Sequence, residues 1–439
     1  RYSYQNQFKD YQLKLAYARR QSDNDYDIPT QNRRNENGQF HMNSLDAVMK
    51  FELSDVNQLK YFGNYTFGER HFSLLRSSDP KTKFDNFDTR NMIEWQSQWD
   101  DFQSNLKMAY LTEYFTFYDN LNRETSSSSE VETQWLQYEF WVRLKKLKIN
   151  AVLNYQNSQA EGNQLVNAKR DIAGLSLLFQ HQIHKNFNYE ITLRQDINDS
   201  FKNPFLLSLG AEYKLKKTWK WRWHASKNYR LPTFNDLFWI NGGNINLNPE
   251  TSYQTEIGSD LKIDNFKWSV TGFFNDIDDM IRWLPDVNGI WRPRNTDEVQ
   301  TYGIETSLDF RYLLNDRSEI NFKTQYAYTV SENLSTGKQL IYVPFHSANA
   351  QLVYANTNKW SASIFWKFNG SVFIRTDNNP DHKVSSYNLF DAQISWSIPK
   401  YFNTKLSLRA LNIFDLAYEA VDNRPMPGRS FSINLNINF

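Results

Sequence analysis

The chain has 439 residues, with 50 Lys and Arg against 49 Asp and Glu, and it contains no Cys. This charge balance argues against nucleic acid as a partner, because phosphate binding requires an excess of positive charge. The lack of Cys excludes disulfides and thiolate metal sites. Transmembrane helices are excluded as well, since no apolar run reaches the required length of about 18 residues.

The chain shows no internal boundary. Its length would allow two or three soluble domains, but no Pro-, Gly- or Ser-rich linker and no change of composition divides it. Arg1 stands where an initiator Met and a secretion signal would be expected, so the N-terminus is interpreted as processed or truncated. We therefore expect one continuous architecture over residues 1–439.

Apolar and polar residues alternate along most of the chain, as expected for β-strands with one apolar face. The first predicted strands cover residues 10–22 and 40–53, and the alternation is clearest at residues 147–156, 187–194 and 431–439. Long polar connections are expected near residues 23–39, 71–87, 118–132, 159–170, 230–250, 282–299, 332–345, 374–385 and 414–427. Short turns are expected near residues 54–57, 99–102, 145–146, 184–186, 216–218, 264–265, 314–317, 358–359 and 399–403.

Long loops that alternate with short turns are typical of outer-membrane barrels, whose short turns face the periplasm. The aromatic share of 16% fits the interfacial girdles of such barrels. About 20 complete strands run from Asp10 to Phe439, with Arg1 to Gln7 as the tail of another. Because such a barrel has an even strand number, we predict an all-β fold, a transmembrane antiparallel β-barrel of about 22 strands in the complete protein, with the missing strand or two upstream of Arg1.

A soluble fold is the alternative to a membrane barrel, and an enzyme is the competing functional class, since some outer-membrane barrels are lipases or proteases. A soluble propeller is less favoured because no repeat of about 40–50 residues is visible, and because the polar faces carry many Lys, Arg, Glu and Asn that a buried sheet would leave unpaired. An enzyme is disfavoured because the chain has no Gly-x-Ser-x-Gly, no His-Glu-x-x-His and no ordered set of acid, base and nucleophile.

Paired motifs occur in the middle of the chain: Arg230-Leu-Pro-Thr-Phe-Asn-Asp-Leu-Phe238, then Gly243-Asn-Ile-Asn-Leu-Asn-Pro-Glu-Thr-Ser252. Further motifs follow in order: Glu256, Phe273 to Ile281, Asn295, Gly303-Ile-Glu305, Asn412-Ile-Phe-Asp with Tyr418, and Pro427-Gly-Arg429. This series resembles the TonB-dependent outer-membrane receptors over essentially the whole chain, with Ile245 where Pro is usual. The final strand, which ends in Phe439, is similar to the ends of bacterial outer-membrane proteins.

The resemblance implies that residues 1–439 are a receptor barrel in the outer membrane of a Gram-negative bacterium, and that the family's plug domain and TonB-pairing segment are absent from this sequence. It also implies uptake of a scarce ligand, captured by the outer loops and admitted when TonB drives rearrangement of the plug. The expected partners are TonB, through the absent N-terminal segment, and outer-membrane lipid. Most motif residues are interpreted as shaping the rim rather than contacting ligand, since Pro232 and Pro249 mark strand ends.

Three carboxylates stand at every second residue of the first long loop: Asp23, Asp25 and Asp27. Oxygen ligands at this spacing can fold around Ca²⁺, and cobalamin receptors of the resembled family carry Asp-rich, calcium-ordered loops at about this place. A solvated acidic loop tip is the alternative. No other cofactor is expected.

Four residues of the later loops are candidate ligand contacts: Trp239, Asn244, Trp291 and Arg292. Flat amphipathic rings and neutral hydrogen-bonding groups suit a large, mostly uncharged ligand or a surface lipoprotein. Cobalamin is the favoured ligand, and a ferric siderophore is the alternative. A non-transporting barrel, such as an adhesin or a structural protein, is the alternative function. Haem is disfavoured because no His lies between Arg230 and Pro249.

Overall fold

The computed structural model describes residues 1–28, 31, 33–286, 290–356, 359–398 and 404–438. The first half of the chain forms β1 (Tyr2–Gln7), β2 (Tyr11–Ser22), β3 (Asp27–Ile28), β4 (Arg33–Arg34), β5 (Phe40–Glu52), β6 (Asn57–His71), β7 (Lys83–Gln98), β8 (Phe102–Tyr118), β9 (Ser127–Leu144), β10 (Leu147–Gly162), β11 (Leu165–His184), β12 (Phe187–Asn198), β13 (Leu206–Lys216) and β14 (Trp219–Arg230).

The second half forms helix α1 (Phe234–Phe238), β15 (Glu250–Ile263), β16 (Phe266–Pro285), β17 (Trp291–Asn315), β18 (Ser318–Asn333), β19 (Lys338–Gln339), β20 (His346–Asn356), β21 (Trp360–Asn369), β22 (Val372–Phe373), β23 (Lys383–Val384), β24 (Tyr387–Ile398), β25 (Thr404–Leu411), β26 (Glu419–Val421), β27 (Arg424–Pro425) and β28 (Ser430–Asn436). No helix in the described ranges is both long and apolar enough to cross a membrane.

One antiparallel sheet of 22 strands contains the wall of the barrel, as predicted. Its member β19 only extends the end of β18 by two residue pairs, which leaves 21 wall strands among the described residues. The β3–β4, β22–β23 and β26–β27 pairs are small hairpins in the long loops. The wall therefore agrees with the predicted strands, including the short β1.

The two faces of the wall differ as the alternation predicts. The outer face exposes large apolar side chains such as Ile93, Trp95, Met108 and Leu153. In water such a belt would be an extended apolar patch, whereas in a membrane it contacts lipid. The inner face is largely polar, and Lys60 reaches Glu94 there at 3.6 Å.

Charged side chains on the inner face lie over glycines of the neighbouring strand. The three directly paired positions are Gly174–Asp196, Gly210–Glu190 and Gly258–Arg222. A Cβ atom added at Gly258 would lie 2.7 Å from Cζ of Arg222, and one at Gly210 would lie 2.8 Å from Cγ of Glu190. Since real Cβ atoms do not approach so closely, each glycine lets the opposite charged side chain lie flat against the wall.

Two strands form the edges of the sheet. β1 pairs with β2, and β28 pairs with β25. Within the described part of the chain neither has a strand on its other side, and Phe431 of β28 is 77% exposed. The predicted terminal residue Phe439 lies outside the described residues.

Most connections match the prediction, but some expected loops are wrong. Residues 159–170 and 282–299 mostly continue as strands: only residues 163–164 separate β10 from β11, and only residues 286–290 separate β16 from β17. Strands that extend beyond the membrane are wetted on both faces, so their sequence loses the alternation. The loop at residues 199–205 was not predicted.

Candidate functional site

The long loops lie at one end of the barrel, here called the outer rim. One of them, residues 231–249, contains α1, which begins with a capping box. The amide of Asp236 donates to Oγ1 of Thr233 at 3.1 Å, and the amide of Thr233 donates back to Oδ2 of Asp236 at 2.9 Å. Trp283 of β16 adds a third bond, from Nε1 to Oδ1 of Asp236 at 2.8 Å. The buried carboxylate thus joins the helix to the next hairpin.

A small apolar core lies beneath α1. Leu237, Leu247 and Ile281 are 5%, 3% and 8% exposed, and Phe201 and Phe238 pack against them. Burial of these side chains stabilises the loop in the way that a domain core does. We call this unit, residues 231–249 with the facing ends of β16 and β17, the rim knot.

Arg170 of β11 supports the rim knot from the inner face of the wall. Its Nη2 donates to the carbonyl of Pro232 at 2.8 Å. Its guanidinium lies 5.0 Å from the ring centroid of Phe234 and 5.8 Å from that of Phe201, which are cation–π distances. Among the described residues it has no carboxylate within ion-pair distance, so the rings and the carbonyl are its stabilising contacts.

The base of the rim knot is closed by Arg230 and Glu250, at the ends of β14 and β15. Nε and Nη2 of Arg230 each donate to one carboxylate oxygen of Glu250 at 2.7 Å. The Glu250 side chain is only 14% exposed, and this bidentate geometry is the strongest form of such a pair. These two motif residues therefore hold the two strands together where the loop begins and ends.

The structure brings the four candidate ligand contacts together on the rim knot. The side chain of Asn244 donates to the carbonyl of Pro293 at 3.1 Å, which ties residues 239–244 to the start of β17. Trp239 is half-buried and packs against Gly242. A Cβ atom added at Gly242 would lie 3.4 Å from Cδ1 of Trp239, which is ordinary van der Waals contact. Trp291 is 60% exposed, so it is the most accessible ring of the set.

Arg292, the fourth candidate, is held by a carboxylate. Its Nε lies 3.1 Å from Oδ2 of Asp286, whose side chain is 13% exposed. Arg230 and Arg292 are thus each neutralised by an acidic neighbour, whereas the exposed Arg294 of β17 forms no ion pair with a described residue.

The three carboxylates predicted to bind calcium lie on the first outer loop, residues 23–39. Asp25 and Asp27 share one cation: Arg34 places Nη2 3.1 Å from Oδ2 of Asp25 and Nε 3.3 Å from Oδ1 of Asp27. Asp27 and Arg34 face each other across the β3–β4 hairpin. Over the described ranges, no three His, Cys, Asp or Glu residues are grouped so as to hold a metal ion. Calcium binding stays a prediction.

Other residues of the same loop make buried contacts. Ile28 is buried, and the hydroxyl of Tyr26 donates to the carbonyl of Pro425 at 2.9 Å. Burial raises the pKa of Tyr26, although Arg33 and Arg424 act in the opposite direction. The phenol is therefore protonated at neutral pH and links the first outer loop to the β26–β27 hairpin.

Sequence reasoning missed Arg170, and it did not predict the contact between Asp236, a residue of the first motif, and Trp283. The Thr233 and Asp236 spacing of a capping box was a usable signal. No local pattern pointed to Arg170, because it lies 62 residues before its partner Pro232.

A family model described as TonB dependent receptor-like, beta-barrel matches residues 1–416. The chain belongs to this family. TonB-dependent receptor barrels are bacterial outer-membrane proteins, so the predicted location is confirmed.

Among sequence relatives, the receptor is 28% identical over 274 residues to the vitamin B12 transporter BtuB of Photobacterium profundum, covering 62% of this chain and 43% of the relative. It is 29% identical over 183 residues to the vitamin B12 transporter BtuB of Vibrio vulnificus, covering 40% of this chain and 30% of the relative. The matched segments thus span less than half of these relatives.

Solved structures share the fold. The siderophore receptor PirA from Acinetobacter baumannii has a TM-score of 0.83 at 15% identity, over 98% of this chain and 76% of that one. A mutant of the ferric enterobactin receptor PfeA from Pseudomonas aeruginosa has a TM-score of 0.81 at 14% identity, over 98% and 76% of the two chains. At these identities the likeness concerns the barrel alone.

Proposed function

We propose that this receptor serves TonB-dependent active uptake across the outer membrane, and that its ligand is cobalamin. The receptor captures the ligand at the outer rim, and energy transmitted by TonB admits it to the barrel. The barrel itself performs no chemistry. The sequence relatives named as vitamin B12 transporters support the ligand class.

The observation that carries the ligand choice is the neutralisation of Arg230 and of the candidate contact Arg292. Arg230 and Arg292 are held by Glu250 and Asp286. An anionic ferric siderophore would have to compete with these carboxylates for the cations. A large neutral ligand needs only the exposed Trp291 ring and amide groups, as in most small-molecule sites.

The test is calorimetric binding of cyanocobalamin to the detergent-purified receptor with its complete native chain. Trp291→Ala should weaken binding by about tenfold or more, since a central aromatic contact contributes about 2 kcal/mol. Trp221→Ala, which removes an exposed ring from the outer face of β14, is the matched control and should bind normally.

Other outcomes separate the alternatives. Binding of a ferric siderophore but not of cyanocobalamin would replace the proposed ligand and leave the family assignment intact. Failure to accumulate either compound in cells, with the receptor correctly inserted, would favour a non-transporting barrel.

A further inference from the structure

A histidine with little exposed surface joins the first outer loop to the end of β6. The side chain of His71 is 11% exposed. Its Nδ1 lies 3.1 Å from Oδ1 of Asn37, and its Nε2 lies 2.8 Å from Oε1 of Glu69. The amide of His71 also donates to the carbonyl of Gln39 at 2.9 Å. His71 thus contacts the loop through its backbone and through its ring.

The side chain of Asn37 faces His71 with its oxygen. Its Nδ2 donates to the carbonyls of Phe72 and Thr82, at 2.9 Å and 3.0 Å. These carbonyls lie at the two ends of the next outer loop, residues 72–82, which we call the second outer loop. A flipped amide would place an oxygen against both carbonyls, so the orientation is fixed and Oδ1 can only accept from the ring.

Glu69, on the other side of the ring, is also an acceptor. Its Oε2 lies 3.2 Å from Nζ of Lys83, and a carboxyl group beside a lysine stays ionised. A carboxylate has no proton to donate. The nearby Glu36 of the first outer loop instead accepts a hydrogen bond from Ser77 at 2.7 Å.

The other charged groups around the ring come from the neighbouring strands. His41 of β5 lies directly opposite Glu69 in the sheet. Lys83 of β7 lies 2.8 Å from a carboxylate oxygen of Asp85, and 4.8 Å from the ring centroid of Tyr118 of β8. Glu69, Asp85 and Lys83 together carry one net negative charge. This charge favours a positively charged imidazole between them and the loop.

We propose that His71 is a proton-dependent latch for the first outer loop. Both ring nitrogens face acceptors, so only the imidazolium, which has two N–H groups, satisfies both. Loss of one proton leaves a nitrogen lone pair against Asn37 or Glu69, which weakens the docking of the loop. The docking is therefore complete at low pH and is weakened as the ring loses its proton at higher pH. The inference rests on contacts within the chain and not on the identity of the transported ligand.

Hydrogen exchange measures the latch in the detergent-purified receptor with its complete native chain, between pH 5.5 and 9. The rates are corrected for the intrinsic pH dependence of exchange. The reporting amide is that of Leu74, which donates to the carbonyl of Glu36 at 3.0 Å and so joins the two outer loops. In the wild type its protection should fall by about tenfold as pH rises, the size expected for one hydrogen bond to a charged group.

Glu69→Gln is the decisive variant. Its amide can donate to Nε2 of a neutral imidazole whose Nδ1 still donates to Asn37, so the Leu74 amide should stay protected over the whole range. His71→Gln has no ring with donors on both sides and should leave this amide poorly protected at every pH. His41→Gln changes the histidine opposite Glu69, and as the matched control it should keep the wild-type profile.

Heat-modifiable migration on gels shows that each barrel is folded. Protection that does not change with pH in the wild type overturns the proposal. Protection that still falls with pH in Glu69→Gln also overturns it, because the neutral ring would then be expected to suffice. Loss of the pH dependence in His41→Gln would assign the effect to His41 and overturn the role of His71.

Discussion

The first outer loop and the rim knot use charge in opposite ways. In the first outer loop Asp25 and Asp27 meet Arg34 in the open, with side chains 60%, 87% and 62% exposed. In the rim knot Asp236 is 5% exposed and takes part in three hydrogen bonds above an apolar core. Exposed ion pairs contribute little to stability, whereas a satisfied buried network that covers a core contributes much more.

The largest expected effect comes from emptying the core of the rim knot. Leu237→Ala should destabilise the knot by about 2–5 kcal/mol, because it removes buried methyl groups and leaves a cavity. Hydrogen exchange of the amides in residues 231–249 should then become faster, with the wall strands unchanged. Ile245→Ala, at a 72% exposed position of the same loop, should leave exchange unaltered. Equal exchange in the two variants would contradict the proposed core.

Asp236→Ala should have the next largest effect, about 1–3 kcal/mol, since it removes one half of the capping box and leaves the Trp283 indole without its acceptor. Limited proteolysis within residues 231–249 measures this loss. Asn235→Ala, at a neighbouring position that is not buried, is the control. A protease-resistant Asp236→Ala variant would show that α1 does not depend on its capping box.

Arg34→Ala should change the stability of the receptor by no more than about 1 kcal/mol, because the pairs that it makes are exposed. If the predicted calcium site exists, the same change should raise calcium affinity, since Arg34 competes for the two carboxylates. Calorimetry with calcium chloride measures this, and Arg34→Ala combined with Asp25→Asn and Asp27→Asn is the control. No calcium binding by the wild type or by the single variant would remove the calcium prediction.

The smallest effect concerns the Tyr26 phenol. Because its pKa is raised above the ordinary 10.0, the stabilisation from its bond to Pro425 is present below pH 10 and is lost as pH rises through the raised pKa. The absorbance difference between the wild type and Tyr26→Phe should therefore show that the Tyr26 tyrosinate forms at a higher pH than that of a free tyrosine. An ordinary titration curve would refute the burial of this side chain.

The wall of the receptor could be predicted from its sequence because membrane strands must alternate. At residues 147–156 one face meets lipid and the other meets the interior, so the pattern has period two. That constraint ends outside the membrane. Gln159 and Lys169 lie there on strands β10 and β11, although their sequence predicts a loop. The contact of Arg170 with Pro232 depends on the curvature of the whole barrel, and no local pattern contains it.

The glycines opposite Asp196, Glu190 and Arg222 determine the shape of the bore. Each charged group lies tangentially on the wall, so its field spreads along the surface and does not project towards the axis. The lining on this side of the barrel is therefore polar and lies close to the wall. In Gly258→Ala the added Cβ atom would displace the Arg222 guanidinium from the wall towards the barrel axis, so the bore would become narrower at this position.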